Sequence, residues 1–232
     1  MRWVFGYVVA LCVLMIVLAQ SIIIPTFFTP FFRWQYNRLD VAETIQVSEE
    51  ELMRVTRELL NYMHRWRSRD TLDGITAVVA GEEREFFSDI EKRHMIDVYD
   101  LYDMLFIARD VSILIFIAII MTMALLKYRI LYVLARCVRE IMAGFLILAT
   151  ILVGVIAIDF DRAFIVFHHI FFDNDYWILD PRVDLLINMV PIYFFIHISV
   201  FIALIMAIVP LIIIGLAWLY LRDVAVLEYD RR

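Results

Sequence analysis

The chain has 232 residues, 63% of them hydrophobic, and a formal net charge of −6. That apolar fraction excludes an ordinary soluble domain, and the acidic balance argues against nucleic acid as a partner. Four stretches are apolar enough to cross a bilayer, which takes about 20 residues as a helix.

The first, residues 4–24, is broken only by Gln20 and Ser21. Its apolar run continues past the cleavage-like Val17-Leu18-Ala19 to Ile24, so a retained helix is expected rather than a removed signal. In the segment that follows, 26–104, Ser48 and Glu51 form a capping box. Leu52, Val55, Leu59, Met63 and Trp66 then recur at helical spacing, predicting an amphipathic helix that ends near Asp70. "ITAVVAGEEREFF" reads as a small hairpin with its turn at Ala80–Arg84. A second capping box, Ser88 with Glu91, opens another helix whose apolar side runs through Val98, Leu101 and Leu105. With no glycine or proline between them, it is expected to join the second span, 105–126, directly.

Residues 127–140 carry Lys127, Arg129, Arg136 and Arg139 against the single acid Glu140, and the third span, 141–158, is uncharged. The segment 159–190 holds six aspartates but only two basic residues, Arg162 and Arg182. Within it the run Ala163–Phe172 is too short to span and reads as interfacial. Asp180-Pro181 has the form of a helix N-cap followed by an N1 proline. The fourth span, 191–221, is followed by Arg222, Arg231 and Arg232. The positive-inside rule places 127–140 and both termini in the cytoplasm, and 26–104 and 159–190 outside. Cys12 in the first span and Cys137 in the basic loop leave the outer segments without a disulfide. The expected architecture is an all-α integral membrane protein, a single unit of four transmembrane helices with a mostly helical outer cap and a possible small β-hairpin.

Two outer constellations carry chemistry. In "EKRHMIDVYD", His94 is in phase with Ile90, Val98 and Leu101 and therefore faces the packed side, with Asp97 one turn on and expected to hold a ring nitrogen. A histidine packed at a helix–membrane junction would look the same. In "FHHIFFDNDYWILDP", His168 and His169 are followed by Asp173, Asn174, Asp175 and Trp177. Aromatic residues here would sit at headgroup level whatever the function, and the aspartates fit a solvated loop. A paired histidine that titrates near neutrality at the lipid surface is harder to dismiss. Metal binding by His94, Asp97, His168 and Asp173 is the competing reading, but no recognised ligand spacing is present. No outer cysteine and no G-x-S-x-G elbow offers a nucleophile, so histidine acid–base chemistry without an acyl-enzyme is expected.

Together, "ELMRVTRELLNYM", "EKRHMIDV" and "FHHIFFDNDYWILDP" around four spans resemble a family of small bacterial membrane proteins over nearly the whole chain. That family includes the lipoprotein intramolecular transacylases of Gram-positive organisms. The resemblance implies transfer of an acyl chain from the sn-2 glyceryl ester of a diacylated lipoprotein to the amine of its N-terminal cysteine. It implies no cofactor, diacylated lipoproteins and membrane lipid as partners, and the bacterial plasma membrane as the location. The family's two histidines match His94 and His168, whereas His169 falls on a variable position. His94, oriented by Asp97, is expected to be the base, and His168 the acid or oxyanion partner. Glu91, Asp97, Asn174 and Trp177 are expected to support the pair or line the substrate. A transporter would want ionisable groups within the spans, where the sequence offers little beyond His197. A non-enzymatic scaffold and a metal-dependent membrane hydrolase remain the alternatives.

Overall fold

The computed structural model describes residues 1–64 and 72–229, and it is helical apart from one hairpin. In chain order the elements are α1 (Arg2–Thr26), α2 (Thr29–Arg38), α3 (Val41–Thr44), α4 (Glu49–Tyr62), β1 (Thr76–Val79), β2 (Glu82–Glu85), α5 (Asp89–Leu125), α6 (Ile130–Ile158), α7 (Phe160–Phe171), α8 (Leu186–Met189) and α9 (Ile192–Tyr229). Helices α1, α5, α6 and α9 are long and apolar enough to cross a membrane. As expected, the second outer helix and the second span are one continuous helix, α5. At 37 residues it is roughly 55 Å long, nearly twice the hydrocarbon thickness. Glu91, Lys92, Arg93, Asp97, Asp100 and Asp103 fill its first four turns, so its membrane part is the apolar run from Val111 onward. His94 lies outside that run.

The chain forms two compact units. The first comprises Met1–Ile23, Ile107–Ile158 and the part of α9 from Val200. Its core gathers Ala10, Met123, Val133, Cys137 and Met142, with Trp3, Val13, Ile119 and Ile213 packed around them. Gly6 lets α1 and α6 approach: a β-carbon there would lie 2.6 Å from Val133 Cγ1 and 2.7 Å from Cys137 Sγ. No larger residue fits unless the Val133 and Cys137 side chains or the helices themselves give way. Close backbone approach through a small residue is how helices associate in lipid, where apolar burial supplies little drive. Leu114, Ile147, Leu148 and Leu211 turn outward, each more than half exposed, as lipid-facing side chains do.

The second unit comprises Ile24–Phe106 and Asp159–Ser199. Ser48 caps α4 by accepting from the Glu51 amide at 3.2 Å. The helix then buries Leu52, Val55, Leu59 and Tyr62 on one face. It ends at Tyr62, earlier than the sequence implied, and Trp66 and Asp70 lie outside the described residues. The hairpin is tighter than expected. Ala80 and Gly81 alone make the turn, both with positive φ (54° and 88°), and Glu82–Arg84 belong to β2. Two consecutive positive φ values give the type I′ geometry that matches strand twist, which the polar run after Gly81 concealed. Arg54 on α4 holds the hairpin by donating to the Thr76 carbonyl.

Candidate active site

α7 is a short amphipathic helix capped by Asp159, whose carboxylate accepts from the Arg162 amide at 3.0 Å. Helical spacing puts Phe164 and His168 on one face, one turn apart. His168 is 7% exposed, and its Nδ1 lies 2.7 Å from the Phe164 carbonyl oxygen. A carbonyl only accepts, so in the neutral ring Nδ1 carries the proton and Nε2 keeps its lone pair. Burial pulls the His168 pKa below the ordinary histidine value; the Phe164 carbonyl opposes that shift, and His169 adds to it.

His94, on the first turns of α5, has its ring centroid 6.0 Å from that of His168, with Phe172 edge-on at 5.4 Å. Its Nδ1 is buried and has no hydrogen-bond partner among the described residues. Burial, with a smaller contribution from His168, lowers its pKa to about 4. Both imidazoles are therefore neutral at neutral pH. The expected Asp97–His94 contact is absent. Asp97 Oδ2 instead accepts from Asn174 Nδ2 at 2.9 Å, a partner 77 positions away that outcompetes the neighbour one turn on. The histidine that is oriented is His168, and a backbone carbonyl orients it.

Aromatic rings surround His168. Phe164 is at 4.2 Å, Phe172 at 5.5 Å and Trp177 at 4.7 Å, the indole tilted by only 30°. The loop after α7 that carries Trp177 is pinned to α5 twice. Asn174 bonds Asp97 and also accepts from the Tyr176 amide at 3.0 Å. The Arg93 guanidinium lies 5.5 Å over the Tyr176 ring. His169 is exposed and meets only the edge of Trp177, at 5.2 Å and 88°. Among the described residues, no three His, Cys, Asp or Glu side chains are arranged to hold a metal ion.

A family model described as lipoprotein intramolecular transacylase Lit matches residues 7–195. The chain belongs to the Lit family. No curated protein matches the sequence. The membrane-integral Lit of Bacillus cereus, solved in meso, is similar in fold, with a TM-score of 0.81 over 98% of each chain at 19% identity. Structures of the same protein with one histidine replaced by arginine or by alanine match at a TM-score of 0.72 and 20% identity, over 98% of this chain and 95% or 96% of theirs. This Lit family member is accordingly a membrane-integral transacylase with a role in lipoprotein modification.

Within this Lit fold, Glu91 does more than close its capping box. One oxygen accepts from the Ser88 amide at 2.6 Å, and the other from the Leu186 amide, 95 residues away. Ser88 Oγ donates to Asp184 at 2.8 Å, and Asp184 accepts from the Asp180 amide at 2.8 Å. Asp180-Pro181 starts a turn closed by Val183 N to Asp180 O at 3.1 Å, not the helix its N-cap form suggested. His197 is not alone either: its Nδ1 lies 2.9 Å from Oε1 of the fully buried Gln35. Neither long-range pairing has a local sequence signal.

The Asp97–Asn174 bond has a measurable consequence. Asp97→Ala and Asn174→Ala are each expected to lower transacylation by about tenfold, a charge-assisted bond being worth roughly 1.5–3 kcal/mol. The double variant should be little worse than either single, because both remove the same link. Additive losses in this cycle would show that the two residues act separately.

Proposed function

We propose that this Lit family member moves an acyl chain from the sn-2 glyceryl oxygen of a diacylated lipoprotein to the α-amine of its N-terminal cysteine, leaving a lyso-lipoprotein. The observation that carries the reading is the His168 Nδ1–Phe164 carbonyl bond, which leaves Nε2 as the basic nitrogen of a ring whose centroid lies 6.0 Å from that of a second neutral imidazole. In this mechanism His168 Nε2 takes a proton from the amine as its nitrogen attacks the ester carbonyl. The tetrahedral intermediate then collapses, the carbon–oxygen bond to glycerol breaks, and the proton passes to the departing glyceryl oxygen. The amine loses one proton and the new hydroxyl gains one, so nothing else is consumed. His94, neutral because burial disfavours its charged form, donates its ring N–H to the developing oxyanion or to the leaving oxygen. The base role thus moves to His168 from His94, which lacks the carboxylate that would have fitted it for that role. The transient imidazolium forms against the faces of Trp177 and Phe164, and this cation–π contact stands in for the missing carboxylate. Trp177 and Phe172 line the pair, and Asp97 with Asn174 fixes the loop that carries Trp177.

Holding donor and acceptor of one molecule together contributes much of the acceleration, on the order of 7–11 kcal/mol where geometry is good. The reading places residues 26–104 and 159–190 outside the plasma membrane, where a lipid-anchored ester lies. A cysteine introduced at Asp73, which is 75% exposed in its side chain, should react with an impermeant thiol reagent in whole cells. Reaction only after lysis reverses the orientation and the site with it. The activity itself is tested by mass spectrometry of N-terminal lipopeptides from a host lacking such an enzyme. Expression of this chain should yield the N-acyl, S-monoacylglyceryl form, and unchanged diacyl peptides refute the reaction.

A further inference from the structure

Two cavities of the outer segments are lined by neither His94 nor His168. Two adjoining spaces of about 490 and 350 Å³ lie between α2 and α4 and share Arg33, Asn37, Met53 and Arg57 in their walls. Helical spacing explains the lining. Arg33 and Asn37 are one turn apart on α2, and Met53 and Arg57 are one turn apart on α4, so one stripe of each helix faces the groove. Glu49 and Glu50, in the first turn of α4, border the larger space, and Trp34 borders the smaller.

The charges of this groove are unspent. Arg54, on the same helix, is held by Glu51 at 2.7 Å and Glu58 at 2.6 Å. Arg33 and Arg57 have no acid within ion-pair distance among the described residues, although the wall they share also holds Glu49 and Glu50. Chain length ties one wall of the groove to a candidate span. α2 begins three residues after the end of α1, a candidate span. Phe28 and Trp34 are 47% and 51% exposed, as aromatic side chains at headgroup level are.

We propose that this groove binds an amine-bearing zwitterionic phospholipid headgroup, its phosphate between Arg33 and Arg57 and its ammonium at Glu49 and Glu50. A guanidinium fork suits a phosphodiester, and an ammonium supplies three donors to the two carboxylates. Two arginines and two glutamates sum to zero, which matches a zwitterion. An anionic headgroup would meet the carboxylates without compensation, and a quaternary ammonium has no hydrogen to donate. Asn37 adds a neutral partner for phosphate, and Met53 and Trp34 offer apolar surface to the glycerol end. The site has no residue in common with the histidine pair, so it stands whether or not the transacylation mechanism does.

The test uses the full-length enzyme in nanodiscs containing equal phosphatidylethanolamine, phosphatidylglycerol and phosphatidylcholine, with retained lipid counted by native mass spectrometry. Phosphatidylethanolamine should be retained in preference to the other two. Arg33→Gln with Arg57→Gln should lower that retention by about tenfold or more, given the strength of charge-assisted bonds. Glu49→Gln with Glu50→Gln should shift the preference toward phosphatidylglycerol. Inorganic phosphate at millimolar concentration should leave the lipid in place. Undiminished retention in the arginine variant, a wild-type preference for either other lipid, or displacement by inorganic phosphate overturns the proposal. The wild-type competition needs no variant, so a folding defect cannot obscure the result.

Discussion

Replacing His168 by alanine is expected to lower transacylation by about 10²–10⁴-fold in a folded, membrane-inserted enzyme, the usual cost of removing a general acid–base group. The size of the loss follows from the site's geometry. The acceptor attacks as the free amine, and its nitrogen must shed one proton as the amide forms; His168, with its own proton fixed on Nδ1 by a backbone carbonyl, offers Nε2 to take it. His94→Ala is expected to fall in the same range, because the developing oxyanion would lose a buried donor. Two groups serving one transition state are not additive, so the double variant should resemble the worse single. His169→Ala should keep a substantial part of the activity, since that ring is exposed.

The sign of the pH dependence is also set. Burial lowers the pKa of both histidines, so the base stays unprotonated down through neutrality. The enzyme's own acid limb comes as pH falls through the lowered His168 value, below the ordinary histidine value of about 6.5, while protonation of the acceptor amine adds a separate substrate limb near its ordinary value of about 7.7–8.0. His94, depressed to about 4, stays neutral across this window and serves as a donor throughout. Near-normal turnover in His168→Ala, or survival of the lower acid limb unchanged in that variant, refutes the assignment. His168→Ala separates base from bystander more cleanly than Trp177→Leu. The latter removes the ring stacked at 4.7 Å and perturbs the base only through its surroundings.

What the sequence revealed and what it hid divide by range. The four spans follow from apolar length, and both capping boxes from residues three apart. The continuity of α5 follows from the absence of any breaker. The histidine pair was legible because motif resemblance singled out His94 and His168; helical phase was less exact, since α5 buries Glu91, Met95 and Tyr99 while Ile90 is exposed and His94 half-buried. The partners of Asp97, Glu91 and His197 were not legible, since Asn174, Leu186 and Gln35 lie 77, 95 and 162 positions away. The carbonyl that orients His168 belongs to Phe164, a residue whose side chain gives no hint of the role. Asp180-Pro181 shows the same limit in reverse. The dipeptide suits a turn as well as a helix start, and Arg182, bonded to the Asp180 carboxylate at 3.0 Å through its amide, selects the turn.

Glu91→Leu is expected to cost roughly 2–4 kcal/mol of stability, because it leaves the Leu186 amide buried without an acceptor at about 1–3 kcal/mol and removes a part-buried bond to the Ser88 amide worth about 1 kcal/mol. That is a large share of the 5–15 kcal/mol that typically separates folded from unfolded protein, and on the order of 10 °C in the melting midpoint. Glu91 is 1% exposed and its bond to Leu186 is buried, so water cannot replace the oxygen lost there. Its carboxyl pKa is raised, burial being the largest cause and the Leu186 and Ser88 bonds opposing it. The sign of that shift matters for the conservative variant. A raised carboxyl pKa means that the charged form is disfavoured in the folded state, so removing the charge recovers part of what its burial costs. Glu91→Gln keeps one acceptor oxygen and loses the charge, yet turns an NH₂ toward one of the two amides. It should therefore be destabilised less than Glu91→Leu but more than Ser88→Ala, which leaves both carboxylate bonds in place. Thermal unfolding of the three purified variants in one detergent gives the order. Should Glu91→Leu melt within a degree or two of the parent, the acid does not join the start of α5 to Leu186, and the position of His94 three residues further along must be set by α5 alone.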